Sequence, residues 1–172
     1  MSSDPTFLLV PAHTPEHLPL VRSLFTSYTT WLDLDLTFQN YAAELADLPG
    51  AYSPPSGAIL LAIDAETSTP LGIIAMRPLK HRAGNADSSE RCCELKRLYT
   101  LPEARGRGVA RALVREALNV ARKAGYQTAM LDTLEKMEAA RKLYASEGFE
   151  ETEKYYETPL VDTMFMAKKL NA

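Results

Sequence analysis

The segment from residue 108 to residue 125 constrains the fold of this chain more than any other. Its apolar residues recur at helical spacing and share one face: Val109, Ala112, Leu113, Ala117, Leu118 and Val120. Gly125 follows as a helix C-terminal signal. Strand-like runs flank the helix, at residues 91–100 and 126–132. A strand, a crossover helix and a second strand predict an α/β domain in which the helix covers one face of a sheet.

The rest of the chain supplies further strands and helices in a mixed order. Strand patterns occupy residues 6–10, 58–63, 71–76, 149–156 and 162–168. Helical patterns begin near Thr14 and Pro15, run again through residues 36–48, and return at 138–147 before Gly148. Residues 80–90 are rich in turn formers and predict a mobile loop. We therefore predict one α/β (α+β) domain over residues 1–172, with a mixed sheet of about seven strands and about four helices.

Composition excludes several classes of protein. The 172 residues carry a formal net charge of -3, so the chain lacks the basic excess that general nucleic-acid binding needs. No apolar run approaches a membrane span, and the N-terminus does not resemble a secretion signal, which predicts a soluble, cytoplasmic protein without a membrane partner. Adjacent Cys92 and Cys93 are expected to be reduced strand residues. The three histidines lack metal-ligand spacing, so we expect no metal.

The residues before the long helix form a candidate phosphate site. Arg105, Gly106, Arg107, Gly108, Val109 and Ala110 follow a strand and a short loop and lead into the helix, and Arg111 follows them. Unpaired backbone N–H groups and the helix dipole converge at such a start, and arginine adds charge-assisted hydrogen bonds. A tight turn with solvated arginines is the alternative. Neither a dinucleotide fingerprint nor a P-loop fits, because the third glycine and the Lys-Ser or Lys-Thr pair are missing.

In these motifs the chain resembles the GCN5-related N-acetyltransferase family. Arg105, Gly108 and Ala110 fit the family signature of Arg or Gln, two residues, Gly, one residue, then Gly or Ala. Residues 98–103 look like the family's fourth strand and the loop after it, and residues 140–149 look like its Ala-x-x-Leu-Tyr-x-x-x-Gly-Phe ending. Met137 departs from the pattern, since many members carry asparagine there.

The resemblance implies a site for acetyl-CoA and two catalytic groups. Strands four and five of the family splay apart, which would leave the backbone of Leu98, Tyr99 and Thr100 to bind the pantetheine arm and the thioester. Glu94 matches a catalytic carboxylate of several members, although it is also explained by a surface charge paired with Lys96 or Arg97. Tyr144 matches a tyrosine that protonates the departing thiolate, although a core tyrosine is the plainer interpretation.

The acceptor is less defined. The family's last strand connection and its first interhelical connection often enclose the acceptor, which points to Tyr155 and Tyr156 and to Trp31 and Phe38. Packing aromatics explain the same residues. Asp33 and Asp35 beside them are candidate ammonium ligands or simply solvated.

The resemblance implies transfer of an acetyl group from acetyl-CoA to a primary amine, with coenzyme A as product. We expect direct transfer in a ternary complex and favour a small-molecule amine over a protein lysine or N-terminus. A non-catalytic module that senses acetyl-CoA is the rival hypothesis, and Glu94 and Tyr144 distinguish the two. Pairing across the final hairpin, which is frequent in the family, makes a homodimer possible.

Overall fold

A computed structural model describes residues 5–79 and 90–171, so the loop predicted at 80–90 lies almost entirely outside the described residues. Seven strands are present: β1 (Phe7–Pro11), β2 (Ala58–Asp64), β3 (Pro70–Leu79), β4 (Cys92–Thr100), β5 (Thr128–Leu134), β6 (Glu150–Thr152) and β7 (Thr163–Lys169). Four α-helices accompany them: α1 (Leu18–Leu32), α2 (Tyr41–Ala46), α3 (Val109–Lys123) and α4 (Glu138–Ser146). The predicted fold class is confirmed.

One mixed sheet joins all seven strands in the order β1-β2-β3-β4-β5-β7-β6. Neighbours are antiparallel except β4 and β5, which are parallel because α3 crosses between them. Only three residue pairs join β4 to β5, from Cys92 opposite Thr128 to Glu94 opposite Met130. The ladder ends there although both strands continue, so a gap opens between them. The splay that the resemblance implied is therefore present.

A β-bulge re-aims the side chains of β4 at the mouth of this gap. Ile73 and Ala75 of β3 pair with Tyr99 and Lys96, so one extra residue is inserted in β4. Arg97 lies within the bulge in the left-handed region, with φ of 61°. Bulges commonly redirect a side chain beside an active site.

Helices cover both faces of the sheet. The apolar stripe of α3, with Leu113, Val114 and Ala117 fully buried, packs on one face together with α4. On the other face Val21 and Phe25 of α1 are fully buried against Ile59, Leu61 and Ile73. The sheet is thus a central layer, and the gap between β4 and β5 lies between the helices.

Three element predictions need correction. The first helix begins at Leu18, with Pro19 in its first turn, and Thr14 hydrogen-bonds the His17 ring (3.0 Å) instead of capping. The helix predicted at 36–48 divides into a 3-10 turn at Thr37–Gln39 and the short α2, because Asn40 takes a left-handed conformation between them. The strand predicted at 149–156 contains only β6. Within the described chain, no helix is long and apolar enough to cross a bilayer.

Candidate active site

Two connected cavities follow the splayed edge of β4. A groove of about 490 Å³ runs from the start of α3 along Leu98–Thr100 towards α4. A smaller cavity of about 80 Å³ lies deeper in the gap, between β4, β5 and the segment after α1. Leu98, Met137 and Ala140 line both, so the two spaces meet at those residues.

The groove begins at the predicted phosphate turn. Gly106 and Gly108 have φ of 80° and 78°, in the left-handed region that glycine tolerates best. A Cβ atom at either position would meet nothing within 4 Å, so the backbone is open to a ligand. Gly108 precedes α3 without a side-chain cap, which leaves the first N–H groups of the helix available to an anion. Arg105 and Arg111 also line the groove, where arginine favours phosphate. The Arg111 guanidinium also pairs with the Glu147 carboxylate and donates to the Ser146 hydroxyl (2.9 Å).

Arg107 does not line the groove, contrary to the prediction. Its guanidinium pairs with the Asp64 carboxylate at the end of β2 (3.0 Å) and donates to the Thr6 carbonyl (3.1 Å). Hydrogen bonds from the Thr67 backbone, and then from Arg107, lower the pKa of Asp64 to about 2. Arg107 therefore ties the turn to the sheet, while Arg105 and Arg111 face the groove.

Trp31 lines the groove and not the inner cavity. It lies in the last turn of α1, rather than in the connection after it, and its side chain lines the groove while remaining 48% exposed. The Arg105 guanidinium lies 5.7 Å from the centre of the indole, a cation–π contact. Tyr28 and Tyr99 pack against the same indole. The next residue, Leu32, lines the inner cavity, so the end of α1 contacts both spaces.

Tyr144, which the resemblance matched to the proton donor of the thiolate, lines the inner cavity. Tyr144 lies on α4, is 8% exposed and packs edge-on against Phe149. Burial, more than the nearby Tyr28 and Asp132, raises the pKa of its hydroxyl above the ordinary value. The hydroxyl therefore keeps its proton at neutral pH.

Glu94 lies beside the cavity but not in its wall. The side chain is 3% exposed, and the Arg77 guanidinium contacts it from 2.9 Å. The Tyr155 hydroxyl donates to its other oxygen (2.6 Å). Its partner is Arg77 rather than Arg97, which pairs with Glu44 (2.9 Å). Towards the cavity, Glu94 reaches the Lys96 ammonium at 4.0 Å.

The carboxylate that does face the inner cavity is Asp132 of β5. Its side chain is 16% exposed, and it accepts from Lys96 Nζ (3.2 Å) and from the Tyr156 hydroxyl (2.5 Å). Burial raises the pKa of Asp132, but the Lys96 charge and the Tyr156 hydrogen bond outweigh it and hold the pKa below the usual value. Asp132 is thus ionised at neutral pH.

Known proteins are similar to this chain in sequence and in fold. The sequence profile described as the acetyltransferase (GNAT) family matches residues 18–149. This chain belongs to the GNAT family. An uncharacterized N-acetyltransferase of Schizosaccharomyces pombe is 38% identical over 157 residues, with 91% of each chain covered. Another from Dictyostelium discoideum is 26% identical over 208 residues, covering 90% of this chain and 95% of its own.

Solved structures with the same fold are more distant in sequence. A GNAT acetyltransferase from Staphylococcus aureus superposes with a TM-score of 0.74 at 16% identity, over 96% of this chain and 99% of its own. A chain of the NatC complex, solved with Gag peptide and CoA, gives a TM-score of 0.69 at 20% identity, with the same coverage. At these identities the likeness concerns the fold.

Within this GNAT fold, the remaining predicted site residues lie as follows. Leu98, Tyr99, Thr100, Val109 and Ala110 line the groove with the glycines. Tyr155 and Tyr156 lie in the loop after β6, not on a strand, and neither lines the groove or the inner cavity. The Tyr155 hydroxyl donates to Glu94, and the Tyr156 hydroxyl donates to Asp132. The side chain of Phe38 lies outside the described residues. Asp35 binds the Thr37 backbone N–H (2.9 Å), so it serves its own turn.

Among the residues of the inner cavity that sequence reasoning missed are three charged side chains and one amide. Lys96, Arg97, Asp132 and Gln39 line it, and the Gln39 side-chain oxygen accepts from Lys96 (3.3 Å) and Arg97 (3.0 Å). A signal did exist for Asp132, the single charge in the otherwise apolar and threonine run of β5. A charged residue in a strand of this kind is retained when a partner or a ligand meets it. Among the described residues, no group of three His, Cys, Asp or Glu side chains is placed to hold a metal.

Proposed function

We propose that this GNAT protein transfers the acetyl group of acetyl-CoA to a primary amine of a small molecule, directly and in a ternary complex. The observation that carries the proposal is the meeting of the groove and the inner cavity at Leu98, Met137 and Ala140. A donor entering from the turn and an acceptor entering through the gap would meet there. The small inner cavity favours a small acceptor, or the end of one, over a broad protein surface.

The groove suits the two chemical parts of acetyl-CoA. Open backbone at Gly106 and Gly108, with Arg105 and Arg111 beside it, fits the pyrophosphate. The splayed edge of β4 at Leu98–Thr100 fits the pantetheine amides, because a strand edge without a neighbour, here the edge that faces β5, presents free N–H and C=O groups. When bound, acetyl-CoA supplies an activated thioester. Met137, where many members have asparagine, offers an apolar wall instead of an amide.

The residues of the chain would then divide the proton transfers. The amine nitrogen forms a bond to the acetyl carbon while the carbon–sulfur bond breaks, so the amine loses a proton and the thiolate gains one. Tyr144, protonated and in the cavity wall, is the proposed donor to the thiolate. Glu94 is the proposed general base. Because Glu94 does not line the cavity, its proton has to pass through another group, and Lys96 occupies the position between them.

The test measures thiol release from acetyl-CoA across amino acids, polyamines, arylalkylamines, aminoglycosides and lysine peptides. Glu94→Gln should lower turnover by about 10²–10⁴-fold, the usual contribution of a positioned base. Tyr144→Phe should lower turnover more than acetyl-CoA affinity, which calorimetry measures. Glu44→Gln is the matched control, since Glu44, like Glu94, is a carboxylate that contacts Arg77 but lies outside both cavity walls.

The outcomes separate the enzyme from its rivals. Acceptor-dependent release that is lost in Glu94→Gln and Tyr144→Phe, with the fold intact by circular dichroism, supports the enzyme. Loss of less than threefold in Glu94→Gln removes Glu94 from the mechanism. Acetyl-CoA binding without release to any acceptor favours the sensing module, and preferred release to peptides favours a protein substrate. Light scattering measures separately whether the protein forms a homodimer.

A further inference from the structure

The charges around the inner cavity form a closed cluster. Three cations, Arg77, Lys96 and Arg97, alternate with three carboxylates. Glu44 contacts Arg97 and Arg77, Glu94 contacts Arg77 and Lys96, and Asp132 contacts Lys96. The cluster as described is therefore neutral. An additional buried charge on a ligand would have no spare counter-charge in it, and unpaired buried charge is strongly disfavoured.

One member of this cluster can nevertheless meet a ligand. Asp132 lines the cavity and is 16% exposed, whereas Glu94 is 3% exposed and lies behind Lys96. The carboxylate of Asp132 can thus accept a hydrogen bond from one amine. The Lys96 ammonium lies beside Asp132 and repels a second positive charge. A bound amine is therefore favoured in its neutral form before it attacks the thioester.

Much of the rest of the wall is apolar, although Gln39, Thr133 and Thr163 also line it. Leucines from five parts of the chain surround the space: Leu32 at the end of α1, Leu34 and Leu36 after α1, Leu95 and Leu98 of β4, Leu134 of β5, and Leu160 before β7. Such a wall favours hydrocarbon over polar groups. The volume, about 80 Å³, is roughly half that of a ~150 Å³ cavity that holds benzene. The enclosed part of the acceptor is therefore short and unbranched or lightly branched.

We propose that the acceptor is a primary monoamine with an apolar body, and that the Asp132 carboxylate receives its amine. The proposal rests on the proposed acetyl transfer and adds the substrate class. The proposal disfavours diamines, because the second ammonium group would lie against leucine side chains without a counter-charge. It also disfavours α-amino acids, whose carboxylate would enter a space where the described cations are already paired.

Two matched pairs of acceptors test the class with the wild-type protein. Butylamine and 1,3-diaminopropane differ by one methyl group in place of a second ammonium, and 3-methylbutylamine is leucine without its carboxylate. We expect kcat/KM for thiol release to be at least about tenfold higher for butylamine and for 3-methylbutylamine than for their charged counterparts, given the cost of an unpaired buried charge. Equal or higher values for 1,3-diaminopropane or leucine would overturn the class.

A variant tests the role of Asp132. Asp132→Asn should raise KM for butylamine by about 10–100-fold, the range for loss of a charged hydrogen bond, with acetyl-CoA affinity unchanged. Glu44→Gln, which removes a carboxylate from the same cluster outside the cavity, should leave the preference for butylamine over 1,3-diaminopropane in place. An unchanged KM in Asp132→Asn removes Asp132 from acceptor binding. If that variant does not fold, the two matched pairs of acceptors still decide the acceptor class.

Failure of this inference differs from failure of the proposed function. Preferred acetylation of polyamines, aminoglycosides or amino acids keeps the acetyl transfer and overturns the monoamine class. No release with any acceptor, despite acetyl-CoA binding, overturns both.

Discussion

At the scale of single residues, side chains of the same type take different roles at this site because they point in different directions. Glu94 and Asp132 are carboxylates on neighbouring strands, yet only Asp132 faces the inner cavity. Arg105 and Arg107 are two positions apart, yet Arg105 lines the groove and Arg107 is bound to Asp64. In each pair the chemistry is shared, and the direction of the side chain sets the role.

Trp31 provides a direct reporter of the groove because it is the only tryptophan in the chain. We expect acetyl-CoA to cover the exposed indole and shift its fluorescence to shorter wavelength in a saturable titration. Trp31→Phe should abolish the signal and weaken affinity by roughly two- to fivefold, as expected for the lost contact with Arg105. Emission that does not change while calorimetry detects binding would place the ligand away from Trp31.

At the scale of elements, Arg107 fixes the turn before α3, whereas Arg105 of that turn and Arg111 of the first turn of α3 face the groove. Because Arg107 joins the turn to the end of β2, Arg107→Ala and Asp64→Ala should each weaken acetyl-CoA binding only modestly, by about fivefold at most. The double variant should lose no more than either single variant. Arg105→Ala should lose more affinity and add fully to Asp64→Ala. Calorimetric titration of the five variants and the wild-type protein measures this, and additive losses for Arg107 and Asp64 would mean that Arg107 contacts phosphate itself.

The segment between α1 and β2 forms part of the wall of the inner cavity. Gln39 and Glu44 of this segment bond Lys96 and Arg97 of β4. Asp33 and Asn40, both with left-handed backbone, bound the stretch that carries Leu34 and Leu36 into the wall. The polar contacts fix where the segment lies, and its leucines give the cavity its apolar character.

At the scale of the whole molecule, the ion-pair cluster joins α2, β3, β4 and β5. The pKa of Asp132 is lower folded than unfolded, so its contribution to stability is present above the unfolded value, about 3.9, and is lost as pH falls through the folded value. Asp132→Asn should lower the free energy of unfolding at pH 7 by about 1.5–3 kcal/mol. Urea unfolding from pH 7 to pH 3 should show the two proteins converging below about pH 4. A constant gap across this range would show that the charge of Asp132 does not stabilise the fold.

The sequence alone predicted most of the strands and helices, the parallel crossover around α3 and the glycine-rich turn before α3, because each depends on local signals: periodicity, glycine placement and a motif within one segment. The roles of Tyr144 and Glu94 came from the resemblance to the GNAT family and stay predictions. Only the tertiary structure decided that Arg107 turns to Asp64, that Trp31 faces the groove, and that Tyr155 and Tyr156 stand behind two carboxylates. It also brought Lys96, Asp132 and Gln39 together from three distant segments, because the β4 bulge and the early end of the β4–β5 ladder set the directions of those side chains. Such directions depend on long-range pairing, which no single stretch of the sequence encodes.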